Sequence, residues 1–598
     1  MCGIAGEIAF RGKSADSSAV TAMVAAMVDR GPDGSGTWDG GWAALGHRRL
    51  SIIDLSDAGA QPMLDEEHDL ALTFNGCIYN YKELRTQLEA EYTFHSTSDT
   101  EAILRAYQKW GEDFVHHLVG MFAIAVVDGR QGKVVLVRDR LGIKPLYVSS
   151  TPDSSTSDRV RFASSLPALI QGGGIDTGID EVALHHYLSW HSIIPAPRTI
   201  LRGVKKLPAA TIRVIRRDGS STDRRYWQPE YSRQDRFAKW TDADWQDAIH
   251  DSLRVAVKRR TVADVPVGVL LSGGLDSSLL VALLAEEGQH GLSTFSIGFD
   301  DVGGAEGDEF QYSDVVARTF GTRHEQLHIS TADFAPAVDA AVAAMSEPMA
   351  SHDVTAFHLL SRAVADHVKV VQCGQGADEV FAGYAYHQPA ADVGRDHALA
   401  SFRSAFVDRS HAQIVDCLEP EWYCERDVSE DVLASNMAEP GADTALDAIL
   451  RLDTHLLMVD DPVKRLDNMS MAWGLEARVP FLDQDLVQLA AACPPHLKAA
   501  QGGKAILKDL GRKLLPNEVV DRPKGYFPVP ALQHLEEPFL SMVEDALHAP
   551  EAKQRRLFRP DYIQGLLAEP NRRRTRGNSN VLWQLAVLEM WLQRHGVG

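Results

Sequence analysis

The second residue of this 598-residue chain is a cysteine, Cys2. If the initiator methionine is removed, Cys2 carries a free α-amino group beside its thiol, and the amine can act as the general base for the thiol. The two groups titrate in the same range, near ~7.7–8.0 for the amine and ~8.5 for the thiol. The start of the chain therefore predicts a nucleophile able to attack an amide carbonyl. A small second residue is otherwise ordinary, so the surrounding motifs must show whether Cys2 acts as a nucleophile.

A glycine-rich turn, Ser272-Gly273-Gly274-Leu275-Asp276-Ser277, joins an apolar strand pattern to a helix pattern. Backbone N–H groups at a helix N-terminus bind anions, and glycines let the backbone approach phosphate closely. The Gly-Lys-Ser/Thr ending of a Walker loop is missing. The turn therefore predicts a phosphate-binding loop of another class.

The elements that position these residues fall into two halves, as the chain length requires, because single hydrophobic cores stop growing near ~250–300 residues. The first 200 residues read as short apolar or alternating runs broken by Gly, Asp and Asn. They predict a mostly β half, with strands such as 70–74, 121–127, 134–137 and 146–150 and with helices near 81–88 and 100–110. The polar stretch 216–244 is the predicted linker. We place the boundary between residues 205 and 240, with domains at 1–210 and 240–598.

The second half changes to strands that alternate with helices, which predicts a parallel sheet with helices on both faces. The predicted strands are 265–271, 294–297, 325–329 and 368–372, and the predicted helices are 277–285, 312–320 and 357–366. Ligands bind beyond the carboxyl ends of such strands, where the 272–274 and 374–376 glycine segments fall. Helical patterns continue from about residue 385 to the end, which predicts a helical C-terminal extension.

Further motifs follow Cys2 in a fixed order: Arg30-Gly31-Pro32-Asp33, then residues 46–52, then Asn75-Gly76 and Ser98-Asp99. Together they resemble the glutaminase domain of the class II amidotransferases, which are N-terminal-nucleophile (Ntn) hydrolases with a four-layer αββα fold. The resemblance covers roughly residues 1–200. It implies that Arg49 pairs with the carboxylate of glutamine and Asp99 with its amino group. It also implies an oxyanion hole from the Asn75 side chain and the Gly76 backbone, in a pocket that includes Ile52 and Cys77.

The loop at 272–277 matches the Ser-Gly-Gly-x-Asp-Ser loop of the PP-loop enzymes, which split ATP into AMP and pyrophosphate and form an acyl-adenylate. The segment 374–384 resembles asparagine synthetases, as do 467–470 and 475–483, which match that family's helical core. The resemblance implies a parallel-sheet α/β synthetase domain that uses ATP and Mg²⁺. It implies ATP contacts from Leu270, Ser272, Gly273, Gly274, Asp276, Ser277, Ile297, Cys373 and Gly374.

By the same resemblance, the carboxylates of Asp276 and Asp378 help to bind Mg²⁺ and pyrophosphate, since hard magnesium ions favour carboxylate and phosphate oxygens. Lys524 matches a lysine that stabilises charge during adenylation, a role that suits a point charge. A surface lysine is the alternative for Lys524. The likeness to the asparagine synthetase family spans nearly the whole chain.

Two departures from the family pattern concern substrate recognition. Cys77 replaces the Glu of Asn-Gly-Glu-Ile-Tyr-Asn, which removes one acceptor for the glutamine amino group. Gln375 replaces an acidic residue important for forming the aspartyl-adenylate, and an amide can neither act as a base nor offer a full charge to an ammonium. The motifs resemble most the N-acetylglutaminylglutamine amidotransferases, which amidate an acetylated dipeptide to make an osmoprotectant. Aspartate is the alternative acceptor.

The composition limits the other function classes. The chain has 82 acidic and 60 basic residues and a net charge of −22, which disfavours nucleic acid as a partner. The basic run Arg572-Arg573-Arg574-Thr575-Arg576 is interpreted as a solvated surface segment. No apolar run is long enough to span a membrane and no secretory signal is seen, so we expect a cytoplasmic enzyme of small-molecule substrates. The six cysteines show no C-x-x-C pair and are expected to be reduced thiols.

Two further function classes share these motifs. A non-catalytic sensor of glutamine or nucleotide would keep the sites for binding only, and the intact Cys2, Asp276, Asp378 and Lys524 argue against it. An RNA-modifying adenylating enzyme shares the loop but explains neither the acidic charge balance nor the N-terminal glutaminase motifs. The sequence leaves open whether the chain forms a homodimer.

Overall fold

The computed structural model describes residues 2–149, 158–300, 307–522 and 530–598. The first 225 residues contribute two six-stranded sheets, and the later residues contribute a five-stranded sheet and most of the helices. Within the described ranges, every helix is too short or too polar to cross a bilayer.

The twelve strands of the first half form two antiparallel sheets. They are β1 (Gly3–Ala9), β2 (Gly34–Asp39), β3 (Ala43–Arg49), β4 (Met63–Asp65), β5 (Leu70–Ile78), β6 (Gly120–Asp128), β7 (Lys133–Arg138), β8 (Tyr147–Ser149), β9 (Arg159–Ala163), β10 (Val204–Lys206), β11 (Thr211–Arg216) and β12 (Ser221–Arg225). The strand orders are β10-β8-β9-β1-β3-β2 and β12-β11-β7-β6-β5-β4.

These two sheets stack face to face, and strand periodicity decides what lies between them. Along β6, Ala123, Ala125 and Val127 belong to a buried cluster to which both sheets contribute. The alternate residues Phe122 and Ile124 belong to the separate core on the other face. Side chains alternate between the faces of a strand, so small residues point between the sheets and larger ones point toward the helices. The sheet pair is therefore buried on both sides.

Four helices cover this sheet pair: α1 (Ser17–Ala25), α2 (Tyr81–Leu88), α3 (Asp99–Trp110) and α4 (Leu166–Gly172). A fifth helix, α5 (Glu181–Ser189), packs against helices His411–Cys417 and Val428–Ala438 of the second half. Helices α1 and α4 pack on each other and against β1, β3 and β9 of the first sheet, whereas α2 and α3 pack together with α3 against β5 of the second. The layers are helix, sheet, sheet and helix. The predicted αββα Ntn-hydrolase fold is confirmed.

The second half is built on five parallel strands in the order β15-β14-β13-β16-β17. They are β13 (Val267–Leu270), β14 (Ser293–Phe299), β15 (Arg323–Ile329), β16 (Val370–Gln372) and β17 (Glu476–Arg478). The helices around this part are α6 (Asp242–Arg259), α7 (Leu275–Glu286), α8 (Phe310–Phe320), α9 (Thr331–Ala344), α10 (Val354–Ala365) and α11 (Ala377–Phe381). The predicted parallel α/β domain is confirmed.

The helical C-terminal extension is also confirmed. Its helices are α12 (Gln388–Ala391), α13 (Ala398–Phe406), α14 (His411–Cys417), α15 (Val428–Ala438), α16 (Ala445–Leu452), α17 (Met458–Asp460), α18 (Pro462–Met471), α19 (Gln484–Ala492), α20 (Pro495–Ala499), α21 (Ala505–Leu514), α22 (Asn517–Val520), α23 (Pro530–Gln533), α24 (Phe539–His548), α25 (Pro550–Arg555), α26 (Pro560–Leu567) and α27 (Val581–Arg594).

Two details differ from the sequence prediction. The segment 475–483, expected in the helical core, contains the edge strand β17, which has only three residues, all buried, and so shows no strand periodicity. The predicted linker 216–244 begins with strand β12, whose five residues are all exposed and lack an apolar pattern. A bidentate pair between Arg213 and Asp223, with both N–O distances 2.7 Å, joins this strand to β11.

Buried ion pairs connect the two halves. Arg30 and Lys144 of the first half both reach Asp467 of the second, at 2.9 and 3.5 Å. Burial raises the pKa of Asp467, but the two cations outweigh it and the net shift is downward. Lys206 likewise donates to Glu347 at 2.9 Å. Breaking such a pair leaves a buried charge uncompensated, so these contacts fix the position of one half relative to the other.

Candidate active sites of the two halves

The first candidate site lies where strands of the two stacked sheets meet. Cys2 precedes β1 in one sheet, and Asn75 lies in β5 of the facing sheet. The backbone nitrogen of Cys2 donates to Asn75 Oδ1 over 3.0 Å. Cys2 is 7% exposed, and burial raises the pKa of its thiol. Asn75 Oδ1 accepts this bond, and Asn75 Nδ2 remains a buried donor with no hydrogen-bond partner among the described residues.

Gly76 follows Asn75 on β5 and lines the same cleft as Cys2. Its φ is +154°, and a Cβ added here would lie 2.0 Å from the carbonyl oxygen of Met121. No side chain fits at that distance, so the position requires glycine. The backbone at Gly76 therefore stays accessible from the cleft.

Asp99 begins helix α3 and points into this cleft. Its Oδ2 accepts a hydrogen bond of 3.0 Å from the backbone N–H of Ile78. Burial raises the pKa of Asp99 to about 6, with a further upward contribution from the charge of Glu476. The carboxylate is therefore anchored by β5 and partly protonated just below neutral pH.

Arg49 ends β3 at the mouth of the cleft, and Ile52 follows it. Arg49 Nη1 donates to the carbonyl oxygen of Ser56 at 2.8 Å, and Nη2 donates to that of Asp54. These bonds fix the plane of the guanidinium. The structure thus brings together every residue that the sequence predicted for the glutamine pocket: Cys2, Arg49, Ile52, Asn75, Gly76, Cys77 and Asp99.

Among the cleft residues that sequence reasoning missed, one comes from the second half. Glu476, on strand β17 of the second half, lines the cleft together with Cys77. Its Oε1 accepts from Nε of Arg478 at 2.5 Å, and Nη2 of that arginine lies 3.5 Å from Sγ of Cys77. The only signal in the sequence was the family-like segment 475–483, which gave no reason to place it against the glutaminase pocket.

The second candidate site lies at the carboxyl end of β13, where residues 272–274 turn into α7. Gly273 has φ +72°, and an added Cβ would lie 2.5 Å from the backbone nitrogen of Ser313. Ser272 Oγ accepts from the Gly274 N–H at 3.3 Å and lies 3.1 Å from Ser277 Oγ. The turn is tight and presents backbone and hydroxyl groups to one side.

Asp276, from this turn, and Asp378, from α11, converge on Lys504, which sequence reasoning also missed. Lys504 Nζ lies 2.6 Å from Asp276 Oδ2 and 2.8 Å from Asp378 Oδ2. Burial lowers the pKa of Lys504, but the two carboxylates outweigh it and raise the pKa above its ordinary value. No cluster of three His, Cys, Asp or Glu ligands occurs within the described ranges. The two carboxylates fit Mg²⁺ held jointly with phosphate oxygens, as magnesium prefers.

The remaining predicted nucleotide residues line one cavity of about 910 Å³ around this turn. They are Leu270, Ser272, Gly274, Asp276, Ser277, Ile297, Cys373 and Gly374, joined by Asp378 and Gln375. Gly273 supports the turn without lining the cavity. Lys524 lies outside the described residues.

The cavity is also lined by Tyr384 and by residues of the helical extension, among them Arg465 and Arg576. Arg465 pairs with Asp461 at 2.8 Å and with Asp353 at 3.3 Å. The four arginines of 572–576 are exposed, as predicted for a surface segment, whereas Thr575 is buried. Arg576 also lines the cavity, and its backbone N–H donates to Asp408 at 2.7 Å. Sequence alone gave no long-range partner for this segment.

Comparison with known proteins assigns a family to each half of the chain. The asparagine synthase family model matches residues 248–593, and the glutamine amidotransferase domain model matches residues 1–227. The chain belongs to the asparagine synthase family. It is 30% identical to glutamine-hydrolyzing asparagine synthetase 1 of Bacillus subtilis, over 94% of this chain and 92% of that protein.

Other members of the family are similarly related. A putative asparagine synthetase of Mycobacterium tuberculosis is 31% identical over 86% of this chain and 84% of its own length. Asparagine synthetase B of Escherichia coli is 28% identical over 84% of this chain and 77% of its own length. As a member of the asparagine synthase family, this chain is a glutamine-dependent amidotransferase, a ligase that forms a carbon–nitrogen bond.

Proposed function

We propose that this enzyme amidates the terminal carboxylate of N-acetylglutaminylglutamine, using ATP, Mg²⁺ and ammonia released from glutamine. The single observation that carries the choice of acceptor is the neutral Gln375 in a cavity of about 910 Å³. Volumes near that size are at the upper end for a ligand site, which leaves room for a nucleotide and a dipeptide.

In the first half, Cys2 attacks the amide carbon of glutamine after loss of residue 1. Its backbone nitrogen, then an α-amine oriented by the 3.0 Å bond to Asn75, takes the thiol proton. Asn75 Nδ2 and the backbone of Gly76 stabilise the oxyanion. Ammonia leaves as a thioester forms, and water then releases glutamate. Arg49 and Asp99 hold the carboxylate and the amine of the substrate.

In the second half, a carboxylate oxygen of the acceptor attacks the α-phosphorus of ATP, and pyrophosphate leaves. The turn at 272–274 holds the phosphates, while Asp276 and Asp378 would hold Mg²⁺, which neutralises charge on the pyrophosphate. Lys504 Nζ contacts both carboxylates in this structure, so its positive charge lies at the site of the phosphates. When ATP and Mg²⁺ bind, the ammonium group of Lys504 can pair with phosphate oxygens instead of with the two carboxylates. Lys524 remains a prediction for the same role. Ammonia then attacks the acyl carbon and displaces AMP.

Acceptor chemistry favours the dipeptide over a free amino acid. Free aspartate carries an ammonium that needs a negatively charged partner, and Gln375 offers none. Of the carboxylates that line the cavity, Asp353 and Asp461 are both paired with Arg465. An acceptor whose amine is acetylated needs no such partner, and the aromatic ring of Tyr384 offers a surface for its side chains.

Aspartate is the second candidate, because the related proteins named above are asparagine synthetases. We would incubate the enzyme with glutamine, ATP and either aspartate or N-acetylglutaminylglutamine, and measure the product mass together with AMP and ADP. We expect the dipeptide amide and AMP. Asparagine as the main product would support the second candidate. Formation of ADP, or no acceptor-stimulated pyrophosphate release, would refute the adenylation chemistry.

A further inference from the structure

The glutamine cleft has an unusual charge balance for a site that must bind an ammonium. Position 77 carries a cysteine where the family pattern has a glutamate. Burial raises the pKa of the Cys77 thiol well above its ordinary value, so it stays neutral. Within the first half, Asp99 is then the carboxylate that the cleft offers to the amine of glutamine. Since burial also favours the protonated form of Asp99, one carboxylate makes a weak ammonium site.

The second half supplies another carboxylate to the same cleft. Glu476 is 1% exposed and lines the cleft beside Cys2, Cys77 and Asp99. Burial alone would raise the pKa of Glu476, but the positive charge of the chain's amino terminus, followed by those of Arg478 and Lys144, outweighs burial and lowers the pKa to about 2. The balance of these charges favours the ionised form of Glu476. Its charge also contributes to the raised pKa of Asp99, so the two carboxylates act on the same space.

Arg478 fixes Glu476 in place. The Nη1 group of this arginine donates to the carbonyl oxygens of Arg260 and Val262 at 2.9 and 2.8 Å, and Nε donates to Glu476 at 2.5 Å. Nη2 of the same arginine lies 3.5 Å from Cys77 Sγ, so Arg478 contacts both Glu476 and the residue at position 77.

We propose that Glu476 binds the α-ammonium of glutamine together with Asp99, and so replaces from the second half the acceptor that Cys77 cannot provide. The glutamine site is then complete only when both halves are in contact. Strand β17 also ties this contact to the nucleotide cavity, because the carbonyl oxygen of Arg478 accepts a 2.8 Å bond from the N–H of Cys373. Glutamine affinity depends on the position of β17.

Ligand discrimination tests this role. We would measure the dissociation constants of glutamine and of glutaramate, which lacks the α-amino group, by calorimetry on the full chain carrying Cys2→Ala. Adding Glu476→Gln keeps an oxygen for Arg478 but removes the charge. We expect glutamine to bind about tenfold to a hundredfold more weakly, as for loss of a charged hydrogen bond. Glutaramate should bind as before.

A rescue and a matched control sharpen the test. Adding Cys77→Glu to the Glu476→Gln protein returns a carboxylate to the cleft and should restore most of the lost glutamine affinity. Glu589→Gln removes another buried carboxylate of the second half from its arginine partner, Arg555, and should leave both affinities unchanged. If Glu476→Gln does not fold, Glu476→Asp, which withdraws the carboxylate, should weaken glutamine selectively.

Equal weakening of glutamine and glutaramate, or failure of Cys77→Glu to restore glutamine binding, would overturn the proposal and leave Glu476 a structural residue. The measurement involves neither ATP nor the acceptor. Its outcome is therefore independent of whether the acceptor is the dipeptide or aspartate.

Discussion

Lowering the pH from 7 to 5 should weaken glutamine binding, because it protonates Asp99. Burial raises the pKa of this carboxyl to about 6 from an ordinary value of 3.8. The ionised form is the one that pairs with an ammonium. Glutamine keeps its own charges between pH 5 and 7, and Glu476, with a pKa of about 2, keeps its charge as well.

The size of the effect follows from the fraction of Asp99 that is ionised. With a pKa of about 6, roughly nine-tenths is ionised at pH 7 and roughly one-tenth at pH 5. If only the ionised form binds, the apparent dissociation constant rises about tenfold over this range. Bound ammonium favours the ionised carboxylate, so the midpoint in the complex lies below that in the free protein.

Calorimetry on the Cys2→Ala protein isolates binding from the titration of the catalytic amine and thiol. The same titration on a protein that also carries Asp99→Asn should give weak binding with no pH dependence between 5 and 7. In the Cys2→Ala protein that retains Asp99, a glutamine dissociation constant that stays constant or falls from pH 7 to 5 would refute the assignment of Asp99 as an ammonium partner.

Four other changes have defined outcomes. Asp99→Asn should stabilise the fold at pH 7 by up to about 3 kcal/mol, because ionising a carboxyl with a raised pKa costs stability as the pH rises from about 4 to 6. The thermal midpoint of the variant should therefore exceed that of the parent protein at pH 7 and match it at pH 4. Asn75→Ala should lower kcat for glutamate release by about 10²–10³ with little change in KM. Lys504→Met should abolish acceptor-dependent pyrophosphate release while glutamate release persists, and loss of both would contradict separate sites. Cys2→Ala should end amide formation from glutamine but not from added ammonium, as mass spectrometry of the product would show.

The sequence predicted those features that depend on neighbours in the chain. The turn at 272–277 is defined by its glycines and by the strand and helix on either side, so its geometry is local. Helix α2 was predicted with its observed bounds, since its apolar residues recur with helical spacing. The strand–helix alternation of the second half likewise predicts parallel strands without any knowledge of contacts.

Strand β17 and strand β12 were missed because neither has a usable pattern. One is three residues long and wholly buried, and the other is wholly exposed. Their pairing with β16 and β11 is decided by which neighbouring strand has free backbone groups. That information belongs to the assembled sheets.

What the sequence by itself determined is the set of candidate catalytic and binding residues carried by short motifs: Cys2, Asn75, Asp99, the glycine turn and Asp276 and Asp378. Only the tertiary structure decided which side chains from distant segments complete the two sites. Glu476 enters the glutamine cleft from the other half, and Lys504 joins Asp276 to Asp378. Such contacts join residues more than a hundred positions apart, and burial of charge favours them, because the buried ammonium of Lys504 requires carboxylate partners that come from distant segments.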